Sequence, residues 1–388
     1  MNASFDVVIV GGGVTGAAVG YGLAKRGVKT CLVDAVPTFA RASRANMGLI
    51  WCPSKALGCP QFVRWGFASS RAYGKLAAEL KELSGIDTGY APTGGIIPCL
   101  GEAELEARAQ FIEKLRAETE DGTYPASVLS RKELEGMLPK VPFGPEVSGG
   151  IWSDMDGYVD PLHLMFAFRK SFVRLGGTLF AGERVSEVKP SGKGYAVVCG
   201  GRTLECGKAV LAAGLGVRKL AAQLGTDIPV FPNKSQVMLL ERIPADVLPI
   251  PLLGIARTFG GTVMIGAAHE NMGMDRRLTP EVLAANAQWA VRVWPELERK
   301  RILRFWTGLR VWPKDAYPIY DRIPGHENAF VFAMHSAVSL AAILEQALPD
   351  YVMGKPLPPD GAIFGLSRFA GGGSGFQGSA ASSPHAEA

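Results

Sequence analysis

Three glycines near the start of the sequence have the spacing of a dinucleotide-binding loop. Gly11, Gly13 and Gly16 form GxGxxG directly after the apolar run FDVVIV, and a helical pattern follows. In such a loop the first glycine permits a tight turn and the second lets the backbone approach a pyrophosphate. The third allows close packing of helix against strand, and the helix start offers N–H groups to the phosphates. We therefore expect Val14 and Thr15, between these glycines, to contact the cofactor as well.

An acidic residue ends the second predicted strand, KTCLVD. Asp34 lies 18 residues after Gly16, where a carboxylate can accept hydrogen bonds from ribose hydroxyls. An acid at this position disfavours a 2′-phosphate, so the pattern favours NAD or FAD over NADP. The alternative is a glycine turn followed by a solvated aspartate, and the strand–loop–helix–strand context argues against it.

The elements that must position this loop follow from hydrophobic periodicity. Short β-branched runs predict strands, and apolar residues at helical spacing predict helices. Ser130 and Glu133 have the spacing of a capping box, which predicts a helix start. The predicted strands are 5–10, 29–34, several within 192–211, 235–241, 261–267 and 329–334, and the predicted helices are 14–26, 61–85, 102–118, 129–138, 161–176, 280–300 and 338–351.

Composition excludes several classes of protein. The chain has 388 residues, of which 47% are hydrophobic and 20% are charged. This length and composition predict a globular enzyme of two domains. The formal net charge of +5 is spread along the sequence, without the basic block that tracks nucleic acid. No apolar run reaches transmembrane length, and no secretory signal is recognisable. The six cysteines are scattered, which is typical of a protein in the reducing cytoplasm. They form no CxxC pair, so the sequence predicts no metal site.

Further motifs resemble one known family. They are SRANMGLIW at 43–51, TGG at 93–95, DGYVDP at 156–161, VLAAG at 210–214, GLR at 308–310 with Asp315 and Pro318, and SRF at 367–369. In order and spacing they resemble the FAD-dependent family of D-amino-acid oxidase, glycine oxidase and sarcosine oxidase. The SRANMGLIW segment and the short loop 334–340 are most similar to the FAD-binding β subunits of opine oxidase, D-hydroxyproline dehydrogenase and hydrogen cyanide synthase.

The resemblance implies an α/β (α+β overall) fold, with a Rossmann-like GR2-type FAD-binding domain and a mixed β-sheet substrate domain. It also implies FAD, which we expect to be non-covalent because no cysteine stands at a recognisable attachment site. The domains expected are a discontinuous FAD-binding domain of 1–85, 146–225 and 301–369, a substrate domain of 86–145 and 226–300, and a disordered tail of 370–388, rich in Gly and Ser.

The same resemblance assigns roles to particular residues. Arg310 of the GLR motif would hold a substrate carboxylate, since a guanidinium pairs bidentately with it; the alternative is a structural arginine. His335 would line the flavin or substrate pocket, or would only position its loop. Tyr158, Trp51 and Trp312 are candidate pocket walls or ordinary core residues. The cofactor contacts expected beyond the glycine loop and Asp34 are Ser43, Arg44, Asn46, Gly48, Leu49, Val185, Ala213, Gly214, Ser336, Ala337, Val338 and Ser339.

The activity implied is oxidation of an amino acid or a secondary amine or imino acid by hydride transfer to flavin N5. The chain would act as the β subunit of a heteromeric dehydrogenase of the D-hydroxyproline or opine type, in the cytoplasm or at the inner membrane through its partners. Three alternatives stay open: a free-standing oxidase that produces hydrogen peroxide, a non-catalytic flavin electron-relay subunit, and an NAD-dependent dehydrogenase. Partner subunits for electron transfer rest on the resemblance, as does a small amine substrate.

Overall fold

The computed structural model describes residues 3–35, 42–52, 56–120, 122–266 and 268–372. The predicted disordered tail lies outside these residues from 373 onward. The strands are β1 Ala3–Val10, β2 Thr30–Asp34, β3 Leu49–Ile50, β4 Gly95–Leu100, β5 Ser127–Ser130, β6 Val147–Ser153, β7 Gly157–Tyr158, β8 Thr178–Ala181, β9 Val185–Ser191, β10 Gly194–Cys199, β11 Arg202–Leu211, β12 Val230–Arg242, β13 Ile255–Arg257, β14 Thr262–Gly266, β15 Ile302–Pro313, β16 Ile319–Ile323 and β17 His326–Ala333.

Nine α-helices lie within the same described residues. They are α1 Val14–Lys25, α2 Pro60–Ser84, α3 Glu102–Ala117, α4 Arg131–Met137, α5 Pro161–Arg174, α6 Val217–Ala222, α7 Pro280–Val293, α8 Ala341–Val352 and α9 Pro359–Ala362. The predicted mixed α/β fold is confirmed, and so is the capping box that begins α4, since Ser130 and Glu133 exchange both of its bonds.

The larger sheet has the order β16-β17-β11-β1-β2-β8. Strands β17, β11, β1, β2 and β8 run parallel, and β16 is antiparallel. Both faces of β1 are buried, as in other parallel sheets. Val7 and Ile9 pack against a layer formed by α1, α2, α5 and α8. Val8 and Val10 pack on the opposite side, with residues of the β9–β10 hairpin and α6. The carboxyl ends of the parallel strands therefore meet along one edge of a rigid sheet.

Two smaller sheets form a second part of the molecule. One has the order β13-β14-β12-β15 and the other the order β4-β6-β5. A shared core that includes Trp289 and Trp294 packs against them, with α7 as its main helix. Among the described residues, no helix is both long enough and apolar enough to span a membrane.

Two boundaries of the predicted domains need correction. β15 pairs with β12 along most of its length, and β6 lies between β4 and β5. The boundaries at 146 and 301 assign both strands to the FAD-binding domain, whereas their backbone hydrogen bonds join them to the second set of sheets. The division into two domains otherwise stays a prediction.

Two helix boundaries also differ from the sequence pattern. Helix α7 ends at Val293 because Trp294 is extended and Pro295 cannot continue the helical hydrogen bonds, so the predicted helix 280–300 is shorter. Helix α8 begins at Ala341 rather than near 338. Ser336 has a φ of 63°, and this left-handed residue lies in a turn that precedes the helix.

Candidate cofactor and substrate site

The glycine loop lies between the end of β1 and the start of α1, as predicted. Gly11 has a φ of 108°, and a Cβ there would lie 2.5 Å from the backbone oxygen of Ala212 at the end of β11. A Cβ on Gly16 would lie 1.8 Å from the backbone oxygen of Gly11. Both positions exclude any side chain. The backbone turn thus leaves room for a ligand at the start of α1.

Asp34 is almost fully buried beneath this loop. Its Oδ2 accepts a hydrogen bond from the backbone N–H of Gly12 and lies 3.1 Å from Nη2 of Arg169, which projects from α5. The Nε of Arg169 donates to the carbonyl of Gly12 at 2.9 Å. Arg169 therefore compensates the buried charge of Asp34, and the two side chains together hold the N–H and the carbonyl of Gly12. The sequence did not identify Arg169, because no short motif places it.

The segment 43–49 crosses the start of α1. The backbone N–H of Val14 donates to Oγ of Ser43 at 3.0 Å. The Nδ2 of Asn46 donates to the Ser43 carbonyl at 2.9 Å, and its Oδ1 accepts from the Gly48 N–H at 2.8 Å. Leu49 continues into β3 and pairs with Tyr158 of β7. Asn46 thus fixes the backbone of this segment beside the glycine loop.

Arg44 is partly buried in the same segment. Burial lowers the pKa of its guanidinium, and the positive charge of Arg304 on β15 lowers it further. The segment 43–49 therefore also meets the second set of sheets. Trp306 supports the same placement, because its Nε1 donates to the Ala45 carbonyl at 3.3 Å.

Three predicted nucleotide contacts lie at the ends of two strands, β11 and β9. Ala213 and Gly214 follow β11 directly, and the Ala212 N–H donates to the Val10 carbonyl at 2.8 Å, next to the glycine loop. Val185 begins β9, opposite Cys199. The preceding Gly182 and Glu183 donate their N–H groups to the Asp34 carbonyl, which places Val185 close to the end of β2.

The loop 334–340 connects β17 to α8 and is anchored to the segment around Trp51. Oγ of Ser339 accepts from the Trp51 N–H at 3.0 Å and donates to the Leu49 carbonyl at 3.3 Å. The phenol of Tyr73 on α2 donates to the Val338 carbonyl at 2.8 Å. Ala337 is partly buried against the helical core.

These segments together fit an FAD. The glycine loop, Asp34, the segment 43–49, the end of β11 and the loop 334–340 all lie at or beside the carboxyl ends of the parallel strands, where α/β proteins bind nucleotides. The tight backbone packing at Gly11 and Gly16 keeps side chains out of this loop, as a pyrophosphate-binding turn requires. That the individual residues named from the sequence contact FAD stays a prediction.

Arg310 lies on β15, opposite Asn233 of β12. Its Nη1 donates to Oδ1 of Asn233 at 3.0 Å and to the Ala268 carbonyl at 2.8 Å. Nη2 donates to Oγ of Ser235 at 2.8 Å. These acceptors are neutral, and within the described part of the chain no carboxylate forms an ion pair with Arg310. Burial lowers the pKa of this guanidinium to about 10. It is a fixed, partly buried cation.

Trp312 lies two residues further along β15 and therefore shares a face of the strand with Arg310. Its ring contacts the His269 ring at 5.2 Å and the His335 ring at 4.8 Å between centroids. His335 belongs to the loop 334–340, so Trp312 connects the arginine region to the expected flavin region. Trp51 and Tyr158 are by contrast buried among core residues.

The sequence did not identify His269, Asn233 or Ser235. A buried polar network fixes the backbone that carries them. Lys234 forms an ion pair with Glu270 at 3.0 Å, and the two residues also exchange backbone hydrogen bonds at 2.9 and 3.0 Å. Because these contacts join residues 36 positions apart, no local pattern could have predicted them.

Cysteines and acids are the remaining candidates for a further site within the described residues. All six cysteines are buried and none forms a disulfide, and burial raises the pKa of Cys59 to about 11. The described ranges contain no cluster of His, Cys, Asp and Glu that could hold a metal ion.

Comparison with known proteins identifies the family. The family model DAO, described as FAD dependent oxidoreductase, matches residues 6–344. The chain belongs to the DAO family of FAD-dependent oxidoreductases. FAD is therefore the cofactor, and the predictions of an oxidoreductase and of a resemblance to this family are confirmed.

Individual members of the DAO family match over almost the whole chain. The B subunit of opine oxidase from Agrobacterium tumefaciens (strain Ach5) is 33% identical over 365 residues, which cover 94% of this chain and 97% of that protein. The HcnC subunit of hydrogen cyanide synthase from Pseudomonas aeruginosa is 28% identical, covering 95% and 97%. The crystal structure of glycine oxidase from Geobacillus kaustophilus superposes with a TM-score of 0.87 at 26% identity, covering 95% of this chain and 100% of that one.

Proposed function

We propose that this oxidoreductase oxidises a small amino acid or imino acid at the carbon that bears nitrogen. The bound flavin supplies the hydride acceptor. The protein must then fix the substrate in one orientation, because small misplacements at the reacting carbon cost orders of magnitude in rate.

Arg310 is the observation that carries this proposal. A partly buried guanidinium whose partners among the described residues are neutral keeps an uncompensated charge, which is costly unless an anion binds it. A carboxylate matches its planar fork of donors. Asn233 and Ser235 of β12 hold the Arg310 guanidinium in place. A carboxylate bound to it would therefore have a fixed orientation before the hydride is transferred. His335 and Trp312 would then wall the space between that carboxylate and the flavin.

We further propose that the chain works as one subunit of a heteromeric dehydrogenase. Two relatives that match along nearly their full length are named as subunits, one of opine oxidase and one of hydrogen cyanide synthase. A free-standing oxidase that releases hydrogen peroxide is the alternative, as glycine oxidase is the named activity of another relative. The two differ in how fast oxygen restores the colour of the reduced protein.

The test is the visible spectrum of the purified flavoprotein, recorded without oxygen before and after glycine, D- and L-proline, D-alanine or an N-carboxyalkyl amino acid is added. We expect one class to bleach the flavin. Slow recolouring in air supports a protein acceptor, and rapid recolouring with stoichiometric peroxide supports the oxidase. A yellow protein that no member of the panel bleaches would count against the proposal.

Two variants test the role of Arg310. Arg310→Ala should lower kcat/KM for the bleaching substrate by about 100-fold or more, since it removes a charge-assisted bidentate contact worth roughly 3 kcal/mol. Arg310→Lys keeps the charge but not the fork and should recover only part of the loss. Propionate, a carboxylate without an amine, should raise the melting temperature of the wild type but not of Arg310→Ala. Equal stabilisation of both proteins would refute the assignment.

A further inference from the structure

Arg310 determines which way its neighbour Asn233 points. A guanidinium has donors only, so the Asn233 atom that lies 3.0 Å from Nη1 of Arg310 must be the amide oxygen. The same oxygen lies 2.9 Å from Nδ1 of His269. An oxygen can only accept, so Nδ1 of His269 must carry a hydrogen. A neutral imidazole that donates from Nδ1 has its basic lone pair on Nε2.

The charges around His269 favour this neutral form. Arg310 approaches from β15 on the other side of the shared amide oxygen, and its positive charge disfavours a second one on the imidazole. Glu270, the next residue along, is engaged with Lys234 of β12 at 3.0 Å. His335 also packs against the Trp312 ring, at 4.8 Å between centroids. A carboxylate that binds Arg310 would cancel the nearest positive charge and make His269 a better base.

The position of His269 also suits the second charged group of an amino acid. Its ring lies edge-on to Trp312, at 77° between planes, on the face of β15 that carries Arg310. The carboxylate and the ammonium of an α-amino acid share one carbon. A group that receives a proton from the ammonium must therefore neighbour the group that holds the carboxylate, as His269 neighbours Arg310.

We propose that His269 takes a proton from the substrate ammonium when the substrate carboxylate binds Arg310. This inference rests on the function proposed above. The N–H bond of the ammonium breaks, the proton moves to Nε2, and the electron pair stays on the substrate nitrogen. That pair then forms the C=N bond as the hydride and its two electrons leave the carbon for the flavin. After the product leaves, the imidazolium returns its proton to water.

The test compares His269→Asn and His269→Gln with the wild type. The asparagine amide can still donate to Asn233 in place of Nδ1, and the glutamine amide reaches the position of Nε2, but neither is a base. We expect the anaerobic rate of flavin reduction by the bleaching substrate to fall about 100-fold at neutral pH in both variants. The rate should rise tenfold per pH unit and approach that of the wild type where the free amine predominates in solution.

A readout other than activity separates this inference from the proposed function. Propionate affinity, measured from the shift in melting temperature, should be unchanged in His269→Asn and lost in Arg310→Ala. If propionate binding does not depend on Arg310, the proposed function fails. If it does, but both His269 variants keep the pH profile of the wild type, only the inference fails.

A matched histidine controls for general effects of the substitution. His326 begins β17, at the opposite end of that strand from the site, where its Nδ1 lies 3.1 Å from the Tyr195 phenol. His326→Asn should keep both the rate and the pH profile. If His335→Asn rather than His269→Asn produced the pH-dependent loss, the proton acceptor would be His335 and the inference would be overturned.

Discussion

The nucleotide end and the substrate end of this molecule are built in opposite ways. The nucleotide end is dominated by one contiguous piece of chain, from β1 through the glycine loop and α1 to Asp34. The proposed substrate end joins Arg310 of β15, Asn233 of β12 and His269 after β14, which meet only because distant strands pair.

This difference decides where the protein tolerates change. At Gly11 and Gly16 of the nucleotide end, backbone packs directly against backbone, and no side chain between them can adjust. At the substrate end, side chains bond to side chains, so a substitution is expected to alter affinity and loop position before it prevents folding. Substitutions at three places in the molecule test this difference between the two ends.

The largest effect is expected at Gly16. Its Cβ in Gly16→Ala would lie 1.8 Å from the Gly11 backbone oxygen, so the loop and α1 must separate. We expect a loss of about 3 kcal/mol or more in the free energy of unfolding and no retained FAD. The flavin-to-protein absorbance ratio measures the retained FAD, and the unfolding midpoint measures the loss of stability.

Gly136→Ala is the matched control for this substitution. Gly136 is exposed on α4, and a Cβ there meets nothing within 4 Å. Gly136→Ala should stabilise the protein by up to about 1 kcal/mol, since alanine favours helices more than glycine does. A Gly16→Ala protein that kept its FAD would show that the nucleotide end is more adaptable than its geometry indicates.

An effect that is smaller in scope, because FAD stays bound, is expected at the buried ion pair behind the proposed substrate end. The side chain of Lys234 is 1% exposed and that of Glu270 is 10% exposed. Lys234→Met leaves the Glu270 carboxylate without its cation and should lower the free energy of unfolding by about 3–5 kcal/mol. Because the pair anchors the backbone next to His269, flavin reduction should slow as well, while FAD stays bound.

The exposed pair of Arg292 and Glu146 provides the control. Both side chains are 50% exposed, so Arg292→Met should cost less than about 1 kcal/mol. Urea unfolding of the two variants gives the comparison. Equal losses would mean that burial of the Lys234 pair contributes nothing to stability. Loss of FAD from Lys234→Met would mean that the two ends are not independent.

The same contrast explains how much the sequence could predict. GxGxxG, the strand before it and Asp34 were recognisable because each is local, and the mixed α/β fold was implied by the family resemblance. Arg310 was identified through a family motif, but its partners Asn233 and Ser235 were not. Arg169 was missed for a similar reason, since it reaches Asp34 from a helix 135 residues further along the chain. Pairing between distant strands and helices leaves no local pattern.

The smallest effect is expected in the loop 334–340, which touches both ends. Ser336 has a φ of 63°, whereas Ala337 beside it has no left-handed φ. A non-glycine residue in that region costs roughly 1–3 kcal/mol, and glycine adds about 0.5–1 kcal/mol of unfolded-state entropy. Ser336→Gly should therefore stabilise the protein by up to about 1–2 kcal/mol, and Ala337→Gly should destabilise it by about 0.5–1 kcal/mol. Melting temperatures of the FAD-loaded proteins show whether each of the two substitutions stabilises or destabilises the protein. If Ala337→Gly were the stabilising change, the strain in this loop would lie at Ala337 rather than at Ser336.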